Sequence, residues 1–241
     1  MVMIEEPYRW LEAVANRREY IEDQLRGATP VFAFSRPEGV LLLGAGPGRT
    51  KIFEVYNRHG MAALGNPVDI EKLRQAVIET AHLEGFNRSP DDVTLRRLVG
   101  FSISTALKNA FEQIVAAPLI VEALFAECGG AREDDVLVRV RYDGAPEYAS
   151  NGIVVAFPDR EREREACEWL RAQLTGSDPL ARVRGLCLTA WSALVGGTEF
   201  QDLKPPDPLP AALDKHGIES ALIDRSGTGP AQYRPLGEQD F

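Results

Sequence analysis

The chain has 241 residues, of which 44% are hydrophobic and 26% are charged, proportions that are typical of a soluble globular protein. Its 36 acidic residues exceed its 27 lysines and arginines, and this acidic balance argues against a dedicated nucleic-acid binder, which needs a basic surface for the phosphates. No apolar run reaches the roughly 20 residues that cross a bilayer, and the N-terminus lacks a signal-peptide pattern, so we expect no membrane partner and a cytoplasmic location.

The first predicted element is a helix over residues 7–26. Pro7 suits the first turn of a helix, and Gly27 is placed to end it. Apolar residues recur at helical spacing, and the charged residues between them, Arg17 among them, are assigned to an exposed face. This helix is therefore expected to be amphipathic.

Strands and helices then alternate in blocks along the chain. Segments rich in β-branched and aromatic residues, separated by Gly and Pro turns, predict strands over 31–35, 40–43, 51–56 and 61–64. Helical periodicity returns over 68–86 and 93–117. Later strands are expected at 119–125, 136–142, 153–157 and 218–223, with helices at 160–174 and 179–195. Residues 196–217 are expected to be a loop, the alternating charges of 160–165 a solvated helix face, and 238–241 a mobile tail.

This block order differs from the strict strand–helix alternation of a parallel doubly wound sheet. It favours an α+β fold in which two antiparallel sheets are covered by paired helices. No repeat or low-complexity linker divides the chain, so residues 1–241 are predicted to form one domain.

Four short segments, in this order and spacing, resemble the proteasome α-subunit family. The segment KIFEVYNR at 51–58 is similar to the family strand K-I-x-x-(L/I)-Y-(D/N). The segments GVLLL at 39–43, MAALGN at 61–66 and RYDG at 141–144 are similar to its neighbouring strands and turns. The helix at 7–26 lies where α subunits carry a helix that catalytic β subunits lack, and the segment before it is closer to the actinobacterial type.

The resemblance implies the four-layer αββα sandwich of N-terminal-nucleophile hydrolases, with an extra N-terminal helix. Residues 1–6 would form a gate segment, 7–26 the helix, 27–235 the sandwich and 236–241 a tail. The resemblance also implies that the chain is a non-catalytic subunit of a 20S core particle, which acts in protein degradation. Seven copies would form the outer ring, with β subunits below it and an AAA-type ATPase activator docked above it through its C-terminal peptides.

The same resemblance implies the site residues. Lys51 would receive the C-terminal carboxylate of a docked activator, because a carboxylate in a partly desolvated groove needs a cation. Gly27 and Gly65 match glycines that border this pocket. The gate would consist of Met1, Val2, Met3, Ile4, Glu5 and Glu6.

Thr29 is the residue to test for catalysis, since catalytic members of the superfamily expose a Thr, Ser or Cys as their mature N-terminus. The turn where the partner acid would fall reads Gly44-Ala45-Gly46, and Lys51 is better matched to the lysine of α subunits. Processing would also remove the helix at 7–26. A structural threonine is therefore favoured, and a hydrolase processed at Thr29 remains an alternative, as does an α-like ring protein without a protease.

No cofactor or metal is expected from the sequence. The glycine-rich segment 44–51 departs from both the GxGxxG and the GK(S/T) phosphate-binding patterns, and it precedes a predicted strand instead of a helix. The three cysteines and three histidines are widely scattered and form none of the close ligand pairs that are typical of a zinc site.

Overall fold

The structure, a computed structural model, describes residues 7–46, 50–203, 217–227, 229 and 231–241. In these ranges, no helix combines the length and the apolar character needed to cross a membrane. The helices are α1 (Pro7–Leu25), α2 (Pro67–Asn87), α3 (Leu95–Arg97), α4 (Ser104–Glu112), α5 (Arg160–Gln173) and α6 (Leu180–Gly196). A π-helical segment, Leu98–Ile103, joins α3 to α4.

Within the described residues, ten strands form two antiparallel sheets. The first sheet has the order β10-β9-β2-β1-β8 and the second the order β3-β4-β5-β6-β7. The strands are β1 (Val31–Arg36), β2 (Gly39–Gly46), β3 (Ile52–Tyr56), β4 (His59–Gly65), β5 (Val121–Glu127), β6 (Val136–Val140), β7 (Pro146–Tyr148), β8 (Ile153–Ala156), β9 (Gly217–Asp224) and β10 (Tyr233–Pro235).

Alternating side chains of the strands build a four-layer sandwich. In β1, Val31 and Ala33 pack between the two sheets, whereas Phe32 and Phe34 pack against α5 and α6. The outer face of the second sheet packs in the same way against α2 and the α3–α4 region. Because both faces of each central strand are covered, these strands read as continuous apolar runs. The predicted αββα class is confirmed, including the additional N-terminal helix.

The inner end of α1 completes the core between the sheets. Ile21 and Leu25 are fully buried there, as the helical spacing predicted. The assignment of Arg17 to an exposed face was wrong, since only 9% of this residue is accessible. Its guanidinium donates to the carbonyl oxygens of Ala110 and Ala116, each at 2.8 Å, and so receives the polar partners that burial requires.

Three further boundaries differ from the sequence prediction. Residues 44–46 are not a turn but the end of β2, because β9 pairs with them along their whole length. The helix predicted to reach residue 117 ends at Glu112, and carbonyls beyond that end are bound by Arg17. The edge strands β7 and β10 were missed because each has three residues, one of them a proline.

Two segments predicted to be solvated make specific contacts instead. In the charge run 160–165, Glu163 is largely buried and pairs with the buried Arg139. The expected mobile tail includes a 3-10 turn, Glu238–Asp240, and Arg184 and Arg234 form ion pairs with its two acidic ends. Periodicity alone could not find these contacts, because their partners lie far along the chain or across a turn.

Candidate functional site

A cavity of about 630 Å³ lies where the end of α1, the starts of β1 and β3 and the start of α2 meet. Its walls include all three residues predicted for activator binding, Gly27, Lys51 and Gly65. The other lining residues are Ala28, Thr29, Gly46, Thr50, Phe53, Pro67, Ile70 and Glu71. The fold thus brings together positions that are separated by up to 44 residues in the sequence, from 27 to 71.

Lys51 is the cation of this cavity, and its amine is held by neutral oxygens. Its Nζ donates to the carbonyl oxygen of Thr29 at 2.9 Å and also to Thr29 Oγ1. Thr29 Oγ1 in turn donates to the carbonyl oxygen of Ala45 at 2.7 Å. Among the residues that the structure describes, no carboxylate forms an ion pair with Lys51. The amine is therefore oriented by the protein but not neutralised by it.

Glu219 on β9 lies behind the lysine and was not found from the sequence. One of its carboxylate oxygens accepts from the backbone N–H of Lys51 at 2.7 Å and from that of Ile52 at 3.2 Å. Pairing of β2 with β9 places Glu219 opposite Gly44. No local pattern could indicate this contact, because 168 residues separate Glu219 from Lys51.

Burial and a nearby negative charge have opposite effects on the pKa of Lys51. Removal of the ammonium from water is the larger effect and lowers the pKa, whereas the negative charge of Glu219 raises it. The net result is a pKa of about 8, below the usual value of 10.5. At neutral pH most of the population carries the positive charge, and a fraction is neutral amine.

Three glycines line the cavity, and they differ in whether a side chain would fit in their place. Gly65 has a φ of +125°, and a Cβ there would lie 2.2 Å from the carbonyl oxygen of Ile120, so only glycine fits this bend. Gly46 has no such strain, but its Cβ would lie 2.9 Å from Lys51 Cε and would displace the lysine. At Gly27, by contrast, no atom lies within 4 Å of the added Cβ.

The opposite rim is apolar, with one acid that is already paired. Glu71 binds the Arg74 guanidinium through two hydrogen bonds of 2.7 Å, and Arg74 lies over the Phe53 ring at 5.8 Å from its centroid. The hydrogen bond from Arg74 lowers the pKa of Glu71 to about 2. Glu71 therefore stays anionic, and its nearest cation is Arg74.

The geometry also revises the test for a nucleophile at Thr29. The lysine that sequence reasoning assigned only to activator binding lies directly against Thr29 Oγ1. Residues 44–46 contribute a carbonyl oxygen in place of an acid. The nitrogen of Thr29 is in a peptide bond with Ala28, which lies beyond the end of α1, so the chain as described lacks the free α-amine that would act as the base.

Three predicted features fall partly or wholly outside the described residues. The gate segment 1–6 lies outside them, as do residues 47–49 of the glycine-rich segment and residues 204–216 of the predicted loop 196–217. The element after the glycine-rich segment is the strand β3, which agrees with the rejection of a phosphate-binding loop, since such a loop needs a helix N-terminus.

Curated relatives align with most of the length of this chain. The chain is 31% identical to the proteasome subunit alpha of Actinosynnema mirum over 223 residues, which cover 89% of this chain and 77% of that protein. It is 32% identical to the proteasome subunit alpha of Streptomyces coelicolor, with 92% and 82% covered. The chain belongs to the proteasome α-subunit family. A more distant member, from Parafrankia, is 28% identical and matches 95% of this chain.

A comparison with protein-family models finds no match. Membership in the α-subunit family therefore rests on the full-length relatives, and the two-sheet sandwich with its leading helix agrees with it. The actinobacterial sources of these relatives agree with the type that the segment before α1 suggested.

Proposed function

We propose that this chain is a non-catalytic subunit that forms the outer ring of a 20S proteasome core particle and docks an ATPase activator at Lys51. Seven copies would form the ring, and β subunits would supply the proteolytic sites. The observation that carries the proposal is a half-buried cation in a cavity, oriented by Thr29 but with no carboxylate partner among the described residues. An incoming terminal carboxylate would complete this site.

Binding of a synthetic peptide that ends in a free carboxylate tests the docking role, using the full-length chain co-expressed with its β partner. We expect Lys51→Met to weaken binding about tenfold or more, since a hydrogen bond to a charged group contributes ~1.5–3 kcal/mol. Lys72→Met is the matched control, because Lys72 is exposed on α2 and pairs with Asp69 outside the cavity. Equal loss in both variants would contradict the docking role.

The peptide itself offers a second control. An amidated peptide of the same sequence lacks the carboxylate and should bind the wild-type chain as weakly as the free peptide binds Lys51→Met. Tight binding of the amidated peptide would mean that the cavity recognises side chains and that Lys51 is incidental.

Residues 1–6 are proposed as the gate because the resemblance to α subunits implies a gate in the segment that precedes α1. Deletion of residues 2–6 should accelerate cleavage of an unfolded protein by the assembled particle and leave cleavage of a short peptide by isolated β subunits unchanged. Images of the assembly should show seven-fold rings. A chain that stays monomeric in the presence of its β partner would overturn the proposal.

The contact between Lys51 Nζ and Thr29 Oγ1 favours one alternative, a hydrolase processed before Thr29. Release of residues 1–28 would free the α-amine of Thr29 as a base. The intact mass separates the two functions: loss of the first 28 residues supports the hydrolase, and their retention in an active particle supports the ring subunit. Failure to stimulate peptide cleavage with β subunits would instead favour a ring protein without a protease.

A further inference from the structure

We propose that Lys51 is an acylation site, at which a small acyl phosphate converts the amine into a neutral amide and so removes the cation of the cavity. The consequence for activator docking rests on the proposed function, whereas the reaction itself depends on the amine of Lys51 and the cavity around it and not on docking. Acylation removes the positive charge of a lysine and its ability to pair with a carboxylate.

The amine of Lys51 is oriented by a single residue. Its Nζ donates to two oxygens of Thr29, the carbonyl oxygen and Oγ1. A neutral amine has two N–H donors and one lone pair, so these two acceptors can engage both hydrogens. The lone pair of the nitrogen is then left free of these two contacts and available to an electrophile that enters the cavity.

Among the described residues, the two acids that face Lys51 are both engaged elsewhere. Glu219 on β9 bonds to two backbone N–H groups and not to the amine, and Glu71 on α2 is engaged by Arg74. Neither acid therefore forms the close ion pair that would hold the lysine fully protonated. With the pKa lowered to about 8, about a quarter of Lys51 is neutral at pH 7.5, against roughly 0.1% for a lysine of ordinary pKa.

The cavity gives a small electrophile access to the amine. Its volume of about 630 Å³ has room for an acyl phosphate, and Phe53, Pro67 and Ile70 provide apolar surface for the acyl carbons.

The reaction balances without a further reactant. The lone pair of neutral Lys51 Nζ attacks the carbonyl carbon of the acyl phosphate, and a C–N bond forms. The bond between that carbon and the phosphate oxygen breaks, and phosphate leaves with the electron pair. The proton lost from nitrogen is taken by the departing phosphate, so the products are an amide and hydrogen phosphate.

Treatment of the full-length chain with acetyl phosphate tests the proposal, with acetylation at each lysine measured by peptide mass spectrometry over time. Lys72 and Lys108 are internal controls, since both are exposed and form ion pairs with Asp69 and Glu112. At pH 7.5 Lys51 should react about tenfold faster than either. This factor is below the ratio of neutral fractions because a less basic amine is also a weaker nucleophile.

The pH profile and one variant give independent readouts. The rate at Lys51 should level off above about pH 9, once the amine is mostly neutral. Glu219→Gln keeps an oxygen for the two backbone N–H groups but removes the charge that raises the pKa, so it should speed acetylation at pH 7. Glu54→Gln, on the exposed face of β3, should leave the rate unchanged. Reaction at Lys51 no faster than at Lys72 and Lys108 would overturn the proposal.

Binding of the carboxylate peptide separates this inference from the proposed function. If Lys51 is both the acylation site and the docking site, the acetylated chain and the Lys51→Gln variant should both lose peptide binding. If the untreated chain does not bind the peptide, docking fails, while the acetylation rates still decide whether Lys51 is the preferred site. If the acetylated chain binds as tightly as the untreated one, acylation does not act on docking and the proposed switch is wrong.

Discussion

Arg17 on α1 donates a hydrogen bond of 2.8 Å to the carbonyl oxygen of Ala116, just beyond the end of α4. A second bond, to Ala110 within α4, has the same length. Together these two hydrogen bonds link α1 to the helices that cover the second sheet. Tyr142 donates a hydrogen bond of 2.6 Å to Glu22 and so stabilises the next part of α1. The helix that leads into the cavity is thus fixed by polar contacts as well as by Ile21 and Leu25.

Replacement of Arg17 by methionine should loosen α1 specifically. The variant keeps much of the apolar stem but leaves the carbonyl oxygens of Ala110 and Ala116 without their donor. Hydrogen bonds from a charged group contribute ~1.5–3 kcal/mol, so we expect a loss of about 2 kcal/mol in the free energy of unfolding. Denaturant unfolding measures this loss, and hydrogen exchange should become faster in residues 9–25.

Arg9→Met provides the control, because Arg9 is exposed on the same helix. Its unfolding free energy should stay within about 0.5 kcal/mol of the wild type, as is usual for surface changes. A loss in Arg17→Met no larger than that in Arg9→Met would show that α1 is held by its apolar face alone.

Two of the three glycines that line the cavity, Gly65 and Gly27, should respond differently to alanine. In Gly65→Ala the new Cβ meets the carbonyl oxygen of Ile120 at 2.2 Å and the backbone has a positive φ, so we expect a loss of about 1–3 kcal/mol. In Gly27→Ala the methyl group meets no atom within 4 Å, and the fold should be kept. Thermal unfolding of the two variants at one protein concentration provides the comparison.

Gly46→Ala is a third variant with a distinct expectation. Its methyl group would displace Lys51 Cε, which lies 2.9 Å away, while the strand pairing of β2 remains. We therefore expect weakened peptide binding with little loss of stability. A variant that unfolds like Gly65→Ala would mean that residue 46 supports the sheet and not the position of the lysine.

Glu163 should make stability depend on pH. Burial is the largest effect on this carboxyl and raises its pKa to about 7, against the opposing influence of Arg139. Because the folded pKa lies above the unfolded one, the contribution of this group is fully present below about pH 4.5 and is lost as the pH rises toward 7. Relative to Glu163→Gln, the wild type should therefore lose unfolding free energy across that window, by up to ~3 kcal/mol.

The matched control for Glu163 is Glu161→Gln, on the exposed first turn of α5. Its unfolding free energy should follow the wild-type pH profile. If Glu163→Gln also follows that profile, Arg139 keeps the carboxylate charged in the fold and the predicted window is absent.

Local patterns in the sequence predicted most of the helices and the central strands, whereas Lys51, Gly27 and Gly65 followed from the resemblance to the α-subunit family. The structure places these three residues in the wall of one cavity. Arg17 was misassigned because helical periodicity does not show whether a charged side chain faces solvent or buried backbone carbonyl oxygens. Glu219 was missed because only the pairing of β9 with β2 brings it to Lys51.

Docking at Lys51 should weaken as the pH rises above about 8. A bound carboxylate favours the ammonium form and raises its pKa above the value of the free site, so affinity follows the protonated fraction of free Lys51. Peptide affinity should be constant from pH 6.5 to 7.5 and fall by up to tenfold per unit above pH 8, when measured at constant ionic strength. Glu219→Gln should move this fall to lower pH, whereas Glu54→Gln should not move it. An affinity that stays constant to pH 9.5 would mean that Lys51 remains charged throughout, and the neutral fraction on which its acylation depends would then be absent as well.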